Sequence, residues 1–480
     1  MPHPPSATAL FTLVATGLAH FVSGQDKPAG DEKPQIAVRV DPRIELLSVV
    51  FRLAGSPEYS QGRVPAYTKA VDAWFEPHKD HEVVKHAKRL RATLGVSYDA
   101  VASFAVHLDG IDPPGLAVPW SPRPERLDKR WLVPDARSFL GNLADFAADS
   151  KAKEFFAGQK ELHARAEAQM QRVIEQHADL GWFARFFGAR PTARFQVVLG
   201  LLNGGNNYGP SARLGDGGED LYAILGCWQV DEQGLPLYGR TVVPTLVHEY
   251  CHSYCNPIVD AHFEALRAPG EALFAMTAEA MRSQAYSNAR TLLCESLVRA
   301  CVVRYRALAE GDKAAANEVA EQERRSFHWT GELAQLLASE YEPNRKDFPT
   351  LHELGPKLAA FFRDQVPKLE ARLANTPRVV SMTPANGQQD VDPATAQLVV
   401  TFDRPMKDGS WAVVGSGEHY PETTGKPSYD ASRRVLTLPI KLKADWSYEL
   451  WLNRGHFDSF RSEEGVPLQP VHVKFKTRAK

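Results

Sequence analysis

Apolar residues along this chain follow two different periods. From about residue 42 to 190 they recur every three to four positions, most clearly in SKAKEFFAGQKELHARAEAQMQRVIEQHADL (150–180), and that spacing predicts amphipathic helices. Phe155, Phe156, Leu162 and Ala166 lie on the core-facing side of that stretch. Ahead of it, IAVRVDPRIELLSVVFRLAG (36–55) reads as a strand followed by a helix. The period changes in ARFQVVLGLLN (193–203) and LYAILGCWQV (221–230), both rich in β-formers. Joined by GGNNYGPSARLGDGGED, these two runs are expected to form a hairpin whose loop exceeds what packing requires and borders a site. Helical spacing returns from about 241 to 373. Beyond Pro377, short alternating runs such as VLTLPIKL, YELWLNRG and VHVKFKTR predict strands separated by turns. The expected fold class is therefore α+β: a mainly helical domain with a small antiparallel sheet (35–376), then an all-β sandwich of seven or so strands (377–480).

The N-terminus changes this picture by adding a segment that is not part of the fold. An apolar stretch from Ala7 to Val22, closed by Val22-Ser23-Gly24, reads as a secretory signal peptide (1–24), followed by a Pro, Gly and charge-rich linker (25–34). No later run approaches the roughly 18 apolar residues of a membrane span. The expectation is a secreted or periplasmic protein. Overall, 44% hydrophobic and 24% charged residues with a net charge of -2 describe a globular chain with no basic field, which excludes nucleic acid as a partner. Asp216, Glu219 and Asp220 are read as a solvated acidic loop ahead of a calcium site.

The candidate chemistry lies in VVPTLVHEYCHSYC. Residues four apart on a helix share a face, so His248 and His252 can present two imidazole nitrogens to one zinc ion. Glu249 sits about 100° round from His248, placed to act on a water as a base without being a ligand. A second segment, HEVVKH (81–86), has one residue too many. Its histidines fall about 140° apart on a helix and cannot share a metal, so with Lys79, Lys85 and Lys88 it reads as a solvated basic face. Gly at 255 and His at 258 would extend the motif to the metzincin form, but Cys255 and Ile258 stand there. Glu295 is the favoured third ligand, because Leu292, Val298 and Val302 give it an apolar setting in which a bare carboxylate is costly. The competing explanation is a one-turn salt bridge to Arg299, and Glu271, Glu279, Asp260 and His262 are lesser alternatives for the ligand.

Three resemblances add to this reading. A zinc-binding HExxH helix followed by a Glu on a second helix resembles the gluzincins. RVDPRIELLSVVFRLAG, NGGNNYGP, VHEYCHSYCNPIVD and CESLVRA together resemble a family of uncharacterised bacterial secreted proteins known only as a domain of unknown function, over about residues 35 to 370. That resemblance implies a metallopeptidase with a zincin-like domain and gives no substrate. VSMTPANGQQDVDPATAQLVVTFDRPM resembles the start of bacterial Ig-like domains, implying a spacer or a module for cell-surface contact. The expected activity is hydrolysis of a peptide or protein substrate: Zn²⁺ held by His248, His252 and Glu295, Glu249 as catalytic base, and the substrate extended along the 221–230 strand. An oxyanion donor is also needed, with Tyr208, Tyr286 and Tyr305 as unranked candidates. The alternatives are a non-catalytic zinc protein that binds a surface polymer, and a zinc hydrolase of a non-peptide bond. The five cysteines, Cys227, Cys251, Cys255, Cys294 and Cys301, all surround this motif. A disulfide from Cys255 to Cys294 or Cys301 would tie the two ligand helices together, while the plainer reading is a set of small buried apolar side chains.

Overall fold

The computed structural model describes residues 36–213, 215–455 and 457–479. The expected signal peptide (1–24) and linker (25–34) lie outside the described residues.

The chain enters through strand β1 (Ala37–Arg39) and turns directly into the Pro42–Leu53 helix. Asp41 makes that turn: its carboxylate accepts the Arg43 backbone N–H, and Pro42 needs no partner in the first helical turn. Seven further helices follow up to Phe187. As expected, Phe155, Phe156 and Ala166 are buried, and Leu162 is partly buried against the same core.

Strands β2 (Ala193–Gly200), β3 (Ser211–Arg213) and β4 (Glu219–Gly226) then complete a four-stranded sheet in the order β1-β2-β4-β3. Here the structure corrects the sequence reading. β2 and β4 run parallel, in register from Ala193 opposite Glu219 to Gly200 opposite Gly226, so they are not the two arms of a hairpin. The sheet is mixed, with only β3 antiparallel to its neighbour. After β2 the chain descends through residues 206–213 as an irregular edge strand, and β4 rises between that limb and β2. Tyr208 N–H donates to the Ile224 carbonyl at 2.9 Å, Ile224 N–H returns the bond at 2.8 Å, and Tyr222 N–H donates to the Pro210 carbonyl at 3.0 Å. Pro210 has no N–H to offer a ladder, so an edge is the position a sheet tolerates for it. Every residue of β4 is buried, as befits a strand paired on both sides.

A short pair, β5 (Gln229–Val230) and β6 (Pro236–Leu237), leads into the second helical run. Its central members are the Val243–Ala261 helix, which carries HEYCH, and the Ala289–Glu310 helix, which carries Glu295. The Phe263–Ser283 helix connects them. Among the described residues no helix is long and apolar enough to cross a membrane.

From Val379 the chain is β. Strands β7 (Val379–Thr383), β8 (Gln397–Phe402), β10 (Glu422–Thr423), β11 (Ser428–Tyr429) and β12 (Val435–Lys441) form one sheet, and β9 (Val413–Val414), β13 (Ser447–Leu452) and β14 (Val471–Lys476) form the other. Strict alternation in β8, β12 and β13 sends Leu398, Val400, Leu436, Leu438 and Leu450 into a core separate from that of the helical region. Each such side chain contributes about 1.5–3 kcal/mol on burial, which gives the β region its own folding drive.

Candidate metal centre

The HEYCH helix is built to hold its register despite an internal proline. Pro244 occupies the first turn, where its missing N–H costs nothing, but Pro257 cannot donate to the Ser253 carbonyl four residues back. Arg190 Nη1 supplies that bond instead at 3.2 Å, while its Nη2 pairs with Glu219 at 2.6 Å and its guanidinium lies over the Tyr254 ring. Through Glu219 of β4 and Arg190, the sheet thereby anchors the helix directly after His252.

His248 and His252 share one face of that helix, with ring centroids 4.9 Å apart and rings nearly perpendicular. Glu295 reaches them from the neighbouring helix, whose first turn is capped by Asn288. His248 Nε2 lies 3.5 Å from Glu295 Oε2, and His252 Nε2 lies 3.5 Å from Glu295 Oε1. One ligand atom from each of the three falls within 4.8 Å of the others, the one such group of three among the described residues. The side chains of His248 and His252 are 19% and 16% exposed, so the cluster opens to solvent on one side. His252 Nδ1 meets Asn256 Oδ1 at 3.2 Å, a contact that turns Nε2 toward the carboxylate.

The protonation states suit a cation. Burial pushes His248 down to about 3, leaving a neutral imidazole. For Glu295, burial acts upward, but the Arg299 guanidinium beside it outweighs that and holds the carboxyl at about 2. Two imidazole nitrogens and an ionised carboxylate are the donor types a divalent ion such as zinc requires, so the residues present fit that ion. Glu249, 6% exposed, is pushed well up by burial and then by Glu295. Its backbone is fixed by Gly209 of the edge limb, where an added Cβ would lie 2.1 Å from the Glu249 carbonyl oxygen. Asn207 ties the same limb to β4 and its exit by accepting from Gly226 N–H at 3.0 Å and Trp228 Nε1 at 3.3 Å.

Several sequence expectations meet different surroundings. Glu295 is both near the histidines and paired with Arg299, so the two explanations offered for it coexist. Glu271 and Glu279 are exposed, Asp260 pairs with Arg290, and His262 bonds the His352 carbonyl; none joins the cluster. Of the tyrosines, Tyr286 touches its network, since its hydroxyl accepts from Arg299 Nη2 at 2.8 Å. Tyr305 is engaged with the Asp179 N–H, and Tyr208 is buried beside Tyr59. The 221–230 strand cannot receive an extended substrate along residues 219–224, because the 206–213 limb already occupies that edge. Of the acidic run, Asp216 is exposed on the loop and paired with Arg194, whereas Glu219 and Asp220 are not solvated: they are buried in β4 and paired with Arg190 and Arg194. All five cysteines are free and buried, with Cys255 Sγ and Cys301 Sγ 3.8 Å apart between the ligand helices. Asn256 and Gly209 went unread in the sequence. A polar residue one turn past His252 was a visible cue for the first, whereas no local signal marks a glycine that meets another helix.

Residues 36–361 match the family described as domain of unknown function DUF4932, and residues 374–477 match the bacterial Ig-like domain. No curated protein matches the chain. Among solved structures it is similar to the surface layer protein SbsC, domains 1-6, at 13% identity and a TM-score of 0.17, covering 51% of this chain and 34% of that one. A second structure, of the S-layer protein rSbsC(31-844), matches at 12% identity and a TM-score of 0.17, covering 83% of this chain and 46% of that one. The chain thus spans less than half the length of either.

Proposed function

We propose that this chain, which belongs to the DUF4932 family, is an exported zinc-dependent metallopeptidase of the gluzincin type, with a zincin-like helical domain followed by its Ig-like module. The observation that carries this reading is the convergence of His248, His252 and Glu295 from two helices, with Glu249 next to the first histidine on the same helix. Zinc held by these three ligands would supply a Lewis acid that lowers the pKa of water to about 7. Glu249 takes the proton from the attacking water and delivers it to the leaving amine. Gly209 fixes the Glu249 backbone, so the base is held by the sheet as well as by its own helix. Tyr286, already oriented by Arg299, is the tyrosine best placed to donate to a developing oxyanion. With β4 covered by the 206–213 limb, that limb forms the sheet edge on this side, β1 forming the other, and an extended peptide would pair along 206–213. Export follows from the N-terminal 24 residues, and the Ig-like module provides for contact with a cell surface.

One observation favours a second reading. The edge limb is short and interrupted by Pro210, so it offers few backbone groups to an extended chain, which suits a zinc hydrolase acting on a compact non-peptide substrate. Metal content and cleavage of an unstructured protein, compared for wild type and Glu249→Gln, separate these readings. The peptidase reading expects one zinc in both and cleavage by the wild type alone. Full zinc with no cleavage of a broad peptide library by the wild type would refute it.

A further inference from the structure

Arg299 is a buried cation with three acceptors drawn from three places. Its Nη2 donates to Glu295 Oε2 at 2.9 Å and to the Tyr286 hydroxyl at 2.8 Å, and its Nη1 donates to Gln322 Oε1. Glu295 lies one turn back on the same helix, Tyr286 precedes that helix, and Gln322 belongs to the Asp312–Arg324 helix. The guanidinium also stacks over the Phe327 ring at 4.4 Å. The side chains of Arg299 and Glu295 are only 4% and 8% exposed, so neither charge is stabilised by bulk water.

We infer that Arg299 is the positioning residue that keeps the three-ligand cluster assembled when no metal is bound. This rests on the metal reading above and adds a property to it. In a site without such a cation, the negative carboxylate and the ion complete each other, and removing the ion leaves a buried unpaired charge, which unfolds small zinc domains. Here the guanidinium already compensates Glu295. It remains in place when an ion arrives, because Tyr286, Gln322 and the Phe327 ring hold it as well as the carboxylate does. It also engages one side of Oε2, leaving Oε1, which faces His252, as the less encumbered donor. The consequence is a site that stays folded when empty and exchanges its ion, at the cost of a positive charge near the bound metal.

The test uses the full chain stripped by a chelator, with Co²⁺ as a spectroscopic probe. Thermal unfolding is followed with and without saturating Co²⁺ for wild type, Arg299→Met and Arg299→Lys, with His248→Ala as the metal control. The wild-type apoprotein is expected to unfold cooperatively and gain little from Co²⁺. Arg299→Met is expected to unfold at a lower temperature when empty and to gain roughly twice the wild-type rise in Tm on adding Co²⁺, since the ion then supplies the missing compensation. Arg299→Lys, which keeps the charge without the three-way fork, should fall between them. An equal Co²⁺-induced rise in wild type and Arg299→Met would overturn the inference while leaving the metal site standing. If the Met variant fails to fold even with Co²⁺, the Lys variant decides, and a rise no larger than wild type overturns the inference. Absence of Co²⁺ absorption in the wild type itself would overturn the metal reading and this inference together.

Discussion

The chain contains two histidine pairs that open with the same two letters, HEVVKH at 81–86 and HEYCH at 248–252, and the fold uses them in opposite ways. In the first, His81 is not within the helix at all. Its Nδ1 caps the Glu82–Leu94 helix by accepting the Val83 N–H at 3.2 Å. His86 is buried instead of forming part of a solvated basic face. Its ring nitrogens meet Arg89 and Asn142, and its ring packs edge-on to Phe139. The lysines around it are exposed as expected, and Glu82 is spent on a surface bond to Lys85. In the second pair both histidines turn to one face and meet a carboxylate from another helix. One residue of spacing separates a cap and a core side chain from a three-donor cluster. What completes the difference is convergence: one carboxylate, Glu295, meets both histidines of HEYCH, whereas His81 and His86 face different carboxylates of the Val133–Asp149 helix, Asp149 at 3.5 Å and Asp135 at 3.9 Å.

Substitutions made in matched pairs can sharpen or break that contrast. The largest expected effect is in the glutamates: Glu249→Gln should lower the hydrolytic rate by about 100- to 10,000-fold with metal retained, whereas Glu82→Gln should leave it unchanged. Steady-state cleavage assays alongside metal analysis check this, and equal losses in both would remove Glu249 from the role of base. Next come the orienting amides. Asn256→Leu frees the His252 ring and should weaken metal binding about 10- to 100-fold in competition with a chelating dye, while Asn142→Leu, the partner of His86, should not alter it. A third change reaches the base through its support. Gly209→Ala places a methyl group against the Glu249 carbonyl and should cost about 1–3 kcal/mol in urea unfolding, with activity lost at unchanged metal stoichiometry. The smallest effect is expected for His86→Ala, about 1 kcal/mol of stability with full metal content. A loss of metal there would mean that the two pairs are not so different after all.

Much of the helical region was legible because its periodicity is local: the strand-then-helix entry, the helices to 190 and from 241, and the shift to strands after Pro377 all follow from spacing alone. The meeting of His248, His252 and Glu295 could be anticipated for a related reason. Two histidines one turn apart define a face, and a carboxylate amid Leu292, Val298 and Val302 needs a buried partner. The parallel pairing of β2 and β4 could not be read the same way. A Gly and Asn-rich link between two β-rich runs looks like a hairpin loop, and only the hydrogen bonds of Tyr208 and Ile224 reveal that the link is itself an edge strand. The burial of Glu219 and Asp220 could not be read locally because their arginine partners come from elsewhere in sequence, Arg190 just ahead of β2 and Arg194 within it. Arg299 shows the same limit in another form. Its pairing with Glu295 is a one-turn relation visible in the sequence, but Tyr286, Gln322 and Phe327 are supplied by tertiary packing.

The central claim is that HEYCH and Glu295 together hold a metal ion, and anomalous diffraction at the zinc edge from crystals of the full chain tests it most directly. The account predicts one strong peak about 2.0–2.2 Å from His248 Nε2, His252 Nε2 and a Glu295 carboxylate oxygen. A peak at other residues, or none in the presence of saturating zinc, would contradict it.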